Sequence, residues 1–185
     1  MSGESRERAL ALVVCGAGPA AAIGTMIALA RRRGWSVQVI STPAALEFFE
    51  APAAGRLAGM PVRSTYRDPG APRSGPADAV IVAPATYNTI CKWALGISDT
   101  YALGILAEST GLGIPTIVLP FVNSALAGRV PFRHSVEALR AEGVHVLLGP
   151  GGIQPHPPRT GDNLIDTYPW HLALDEADRL TGGGW

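Results

Sequence analysis

Thr86, Asn88 and Thr89 follow an apolar run, Ala79 to Ala83 (AVIVA), which Pro84 is expected to end. A continuous apolar run of that length suits a strand covered on both faces. Short hydroxyl and amide side chains at the mouth of the next helix sit among unpaired N–H groups at the positive end of its dipole, where an anionic or carbonyl-rich ligand can dock. The same residues would also serve ordinary N-capping by Thr86 or Asn88. Two further places offer similar chemistry: Gly16-Ala17-Gly18-Pro19 follows the run Ala9 to Cys15, and Ser41 and Thr42 follow Trp35 to Ile40. The glycine turn is a poor dinucleotide fingerprint. Its third glycine is missing, and no acidic residue ends the second strand to grip a ribose. Hydroxyls suit a phosphate or a sugar alcohol, so NAD is rejected. A mononucleotide held by all three places is preferred.

The elements that must position these residues alternate along the chain. Strands are expected at Ala9 to Cys15, Trp35 to Ile40, Ala79 to Ala83, Ile114 to Leu119 and Val144 to Leu148. Helices are expected from Ala20 to Arg33, from Ser41 through Phe49, twice between Pro84 and Leu112, from Pro131 to Glu142 and from Trp170 to Leu180. Residues Ala51 to Ala77, rich in Pro, Gly and Arg, break the pattern, with one short strand near Val62 and a flexible loop at 69–78. Alternation of this kind predicts an α/β fold, a Rossmann-like or flavodoxin-like parallel sheet with helices on both faces. It forms a single domain at 9–185 after a flexible N-terminus at 1–8, with a Pro/Gly-rich loop at 149–161.

Fifteen basic and fifteen acidic residues cancel in a chain of 185. Neither nucleic acid nor an anionic membrane is favoured as a partner. Only 16% of residues are charged while 47% are apolar, which points to surface covered by other subunits. Cys15 and Cys91 form no metal-spaced pair and read as small buried residues of a reducing cytosol; no metal site is expected. The polar start MSGESRER is no signal peptide, and no run reaches membrane-span length. The expected location is cytoplasmic.

Pro84-Ala85-x-x-Asn88-Thr89-x-x-Lys92-x-Ala94-x-Gly96-Ile97-x-Asp99 is similar to the flavin-binding motif of the homo-oligomeric flavin-containing cysteine decarboxylases. Pro120-Phe121-Val122-Asn123, with Pro131 further on, resembles that family's Pro-x-Met-Asn substrate motif. Val122 stands in place of the methionine and Leu126 in place of a second one. The resemblance spans roughly Leu10 to Gly161. It implies FMN, with Gly16, Ala17, Gly18, Ser41 and Thr42 at the phosphate and ribityl chain, and Ala85, Thr86, Asn88 and Thr89 completing the flavin pocket. Asn123 would bind the carboxylate of a substrate cysteine. Assembly as a trimer or dodecamer is implied, with FMN at a subunit contact.

Two departures bear on the activity. Counting back eight residues from Asp78 to the family's catalytic histidine lands on Gly70, and no histidine lies between Gly34 and Arg133. The loop GPGGIQPHPPRTG also lacks the cysteine of the phosphopantothenoylcysteine branch. The peptide-processing branch, particularly enzymes acting on linaridin-type peptides, fits better. The implied reaction is FMN-dependent oxidative decarboxylation of the C-terminal cysteine of a ribosomally made precursor peptide, giving an enethiol. Asp68 and Tyr87 are candidate substitute bases, against readings as a turn residue and a packed ring. His156 and Arg159 could recognise a peptide C-terminus. His134 reads as a surface residue in the first turn of a helix, His145 and His171 have no visible partner, and Lys92 and Asp99, on one helix face, read as structural ties between subunits rather than catalysts. Alternatives are an FMN-binding regulatory or partner subunit without decarboxylase activity, a phosphopantothenoylcysteine decarboxylase-like enzyme, and a flavin prenyltransferase, for which no clear set of basic and aromatic groups is visible.

Overall fold

The computed structural model describes residues 7–66 and 75–182. Five parallel strands form one sheet in the order β2-β1-β3-β4-β5: β1 (Arg8–Val14), β2 (Trp35–Ser41), β3 (Ala79–Ala85), β4 (Thr116–Pro120) and β5 (His145–Val146). Period-two alternation sorts their side chains into two cores. Leu10, Leu12, Val14, Val37, Val39, Ile81 and Ile117 pack beneath α1 (Ile23–Arg32), α2 (Ala51–Ala58) and α7 (Trp170–Leu180). Val13, Ile40, Val80, Val82 and Val118 pack with α3 (Tyr87–Ala94), α4 (Tyr101–Gly111) and α6 (Val130–Ala141). A short helix, α5 (Ser124–Ala127), links β4 to α6. The parallel sheet with helices on both faces is as the sequence suggests.

Several boundaries differ. Pro84 does not end β3: the strand continues to Ala85 through a cis Ala83–Pro84 peptide. The register against β4 shifts between Val82 and Ala85, and such an irregularity is where a strand can carry a residue with no N–H. Ala83 packs in one core and Ala85 in the other. The helix expected through Phe49 is a 3-10 turn, Pro43–Glu47. α2 occupies a segment read as irregular: its proline lies in the first turn, where no N–H is needed, and Gly59 closes it with φ of +82°. Lys92 lies on α3, but Asp99 lies in the connection to α4, and the two are ion-paired across it. β5 has two residues rather than five.

The last helix is tied to the opposite edge of the sheet from the strand C-termini. Asp178 accepts from Arg8 at 2.8 Å, from Arg33 at 3.1 Å and from the Trp35 indole at 3.1 Å, while Arg8 lies 4.1 Å over the Trp35 ring. Arg33 also reaches Asp175 at 2.7 Å. His145 is not partnerless: its Nδ1 lies 2.7 Å from Glu176. No helix among the described residues is long and apolar enough to cross a membrane.

Candidate functional site

Chain connections leave β1 and β3 towards opposite sides of the sheet, since β2 flanks β1 and β4 flanks β3. Such a reversal opens a crevice beyond the carboxyl ends of the two central strands, the usual ligand position in open α/β sheets. The strand ends there are stitched together. Cys15 N–H donates to Pro84 O at 3.1 Å, Thr42 N–H to Val14 O at 2.9 Å and Phe121 N–H to Ala85 O at 2.8 Å. The first turn, the ends of β2 and β3 and the segment after β4 thus converge on one rim.

Gly16 and Gly18 are small for reasons of packing. A Cβ on Gly16 would meet the Ala44 backbone at 3.0 Å, and one on Gly18 would meet Ile165 at 2.9 Å. The amides of Gly16 and Ala17 donate to no acceptor among the described residues. Ser41 is fully buried and donates its hydroxyl to Thr42 O at 2.9 Å, and Thr42 is nearly buried. Ala85 is buried as well. At the start of α3, Thr86 is the N-cap: its Oγ1 accepts from Thr89 N–H at 3.4 Å and donates to the Thr89 hydroxyl at 3.2 Å. Cys15 lies buried beneath them. Burial pushes its thiol above the ordinary value, against the opposing effect of hydrogen bonds with Thr89 and Thr86. Asn88 is exposed at the helix mouth. Main-chain donors from a turn and a helix start, beside small hydroxyls and with no carboxylate in the set, fit a phosphate ester.

Asn123 caps α5, its Oδ1 accepting from Leu126 N–H at 3.0 Å. The cap fixes the carbonyl side of the amide, and its NH2 has no partner among the described residues. Those two donors suit a carboxylate. The Pro/Gly-rich loop returns alongside. His156 forms a parallel bridge with Asn123, through Ser124 N–H to His156 O at 2.8 Å and His156 N–H to Val122 O at 3.3 Å. Arg159 is exposed, with φ of +68°. Tyr87 stacks on Phe132 with centroids 5.6 Å apart, and its hydroxyl accepts from Arg129 at 3.2 Å. Asp68 lies outside the described residues, as does the position of Gly70.

Four residues at this rim were not singled out from sequence. The Phe121 ring lies 4.9 Å from the His156 ring and 5.9 Å from Tyr168. Tyr168 is buried and donates its hydroxyl to Leu119 O at 2.6 Å, and burial holds its phenol protonated well above the ordinary range. Ile165 covers Gly18, and Arg129 reaches Tyr87. Only Phe121 carried a signal, through its place beside Asn123.

The chain is 26% identical over 184 residues to the coenzyme A biosynthesis bifunctional protein CoaBC of Vibrio vulnificus, an alignment covering 82% of this chain and 45% of that protein. The chain therefore spans less than half the length of this curated relative. The crystal structure of TvaF, an FMN-dependent cysteine decarboxylase from thioviridamide biosynthesis, superposes with a TM-score of 0.69 at 26% identity, covering 92% of this chain and 98% of that one. The cypemycin decarboxylase CypD superposes with a TM-score of 0.68 at 24% identity, covering 97% and 96%. The Flavoprotein family model matches residues 1–162. On that match, with the rim of amides and hydroxyls at the sheet's reversal point, the chain belongs to the Flavoprotein family.

Proposed function

We propose that this chain binds FMN and oxidatively decarboxylates the C-terminal cysteine of a ribosomally made precursor peptide, of linaridin type, giving an enethiol. The observation that carries the reading is the pinned Asn123 amide, with two free donors, one strand away from a helix start that resembles a flavin motif. The likeness to TvaF and CypD supports the same reaction class. The Gly16 and Ala17 amides would hold the phosphate, with Ser41 and Thr42 beside the ribityl chain and Ala85, Thr86, Asn88 and Thr89 at the ring. When bound, FMN supplies the acceptor for the two electrons removed from the cysteine side chain. Asn123 orients the substrate by its carboxylate, and the Pro/Gly-rich loop with His156 and Arg159 borders the peptide.

The test is incubation of FMN-reconstituted protein with short cysteine-terminated peptides bearing cypemycin-like or thioviridamide-like tails, followed by mass spectrometry. Loss of CO2 and two hydrogens is expected. A preparation that takes up no FMN overturns the reading. Bound FMN with unchanged peptides selects instead a flavin-binding partner subunit, a reading favoured by the absence of any histidine between Gly34 and Arg133.

A further inference from the structure

We infer that His156 is the catalytic base that takes the thiol proton of the substrate cysteine, a role that rests on the proposed decarboxylase reading. The imidazole is half-buried, packed on the Phe121 ring and hydrogen-bonded to the Pro157 carbonyl. Two main-chain hydrogen bonds strap His156 to Val122 and Ser124, on either side of Asn123. Phe121 and Asn123 are two apart in an extended segment, so they share a face, and the His156 ring packs against Phe121 at 4.9 Å. A Cβ on Gly161 would lie 3.2 Å from His156 Cε1 and 3.3 Å from the Phe121 ring, so that glycine leaves room for the two rings to meet. The Phe121 ring also comes within 4.0 Å of the Cβ position of Gly18. One aromatic ring thus connects the first turn to the imidazole. Prolines on both sides of His156 restrict the backbone that carries it.

Chemistry fixes the tautomer. Nδ1 lies 2.9 Å from the Pro157 carbonyl, and a carbonyl can only accept. Nδ1 therefore carries a hydrogen, and in the neutral ring the basic lone pair is the one on Nε2. None of the other three histidines is placed for this. His145 begins β5, at the far edge of the sheet, and is paired with Glu176, while His134 and His171 are exposed on α6 and α7. In the step assigned here the S–H bond breaks, its electron pair stays on sulfur and an N–H bond forms at Nε2, giving a thiolate beside an imidazolium. That thiolate is the electron-rich group from which a bound flavin would accept electrons.

The test uses the full FMN-loaded chain. Long-range 1H–15N NMR of the wild type should show His156 as the neutral Nδ1–H tautomer; an Nε2–H tautomer overturns the assignment whether or not any variant folds. Under anaerobic mixing with a cysteine-terminated peptide, H156Q should bleach the flavin about 10²–10⁴-fold more slowly than the wild type, the range expected for loss of a general base. Its FMN content should stay within about threefold, and its affinity for the peptide should fall far less than the rate, because Asn123 and the loop backbone are untouched. Added imidazole should restore part of the rate to H156A, and H171Q should behave as the wild type. Wild-type bleaching by H156Q, or a peptide affinity that falls in proportion to the rate, overturns the base role alone. A wild type that holds FMN but never bleaches overturns it together with the decarboxylase reading.

Discussion

Asn123 shows how one side chain can hold two offices. Its carbonyl oxygen caps α5 and its NH2 remains available as a donor. The two separate by substitution, because Asp caps a helix about as well as Asn but offers no donors. Asn123→Asp should keep the melting temperature of the wild type while weakening a cysteine-terminated peptide by tenfold or more, since a hydrogen bond to a charged group is worth about 1.5–3 kcal/mol. Asn123→Ala should add a loss of about 1 kcal/mol in stability. Calorimetric titration and thermal melts measure both, and an Asp variant that binds like the wild type removes Asn123 from the carboxylate site. This residue was legible because it falls in a recognisable motif. The aromatic and apolar wall of Phe121, Ile165 and Tyr168 was not, because each ring or branch finds its partner through tertiary packing that no local pattern records. Tyr87, a candidate base from its place in the motif, stacks on Phe132 and accepts from Arg129 through its hydroxyl.

Among the elements, β1 and β3 were readable because a strand covered on both faces needs an unbroken apolar run, whereas the edge strand β2 alternates, with Trp35, Val37 and Val39 buried and Ser36 and Gln38 between them. α2 was missed for a physical reason: Pro52 and Gly59 look like breakers when counted, but they sit at the first turn and just past the end, where each is tolerated. Pro84 misled in the opposite sense, since a strand irregularity accommodates it. α7 illustrates what holds an element once formed. Asp178 is 17% exposed and satisfies two guanidinium groups and an indole N–H at once. Asp178→Ala would leave all three short of an acceptor at a partly buried site. A loss of about 2 kcal/mol is expected, roughly 4–8 °C in melting temperature for a chain of this size. A melt unchanged within 1–2 °C, a shift of only about 0.5 kcal/mol on the same scale, would mean water replaces the carboxylate at no cost.

At the scale of the molecule, low charge goes with apolar side chains left in solvent: Leu95 is 73% exposed, Leu112 69%, and Leu57 and Val130 51% each. If the chain assembles as the resemblance implies, light scattering should return three or twelve times its 19.3 kDa, and a monomer across micromolar concentrations would refute assembly. Its core also carries a message about extent. The segment shared with the Flavoprotein family stops at residue 162, yet Tyr168, Trp170, Ala173, Leu174 and Ala177 fill the face above β3 and β4. Trimming the chain where the family model's match stops would uncover that face to water. The extent of a sequence match is therefore no guide to where this domain ends, and the sealed core is the border the polypeptide itself must respect.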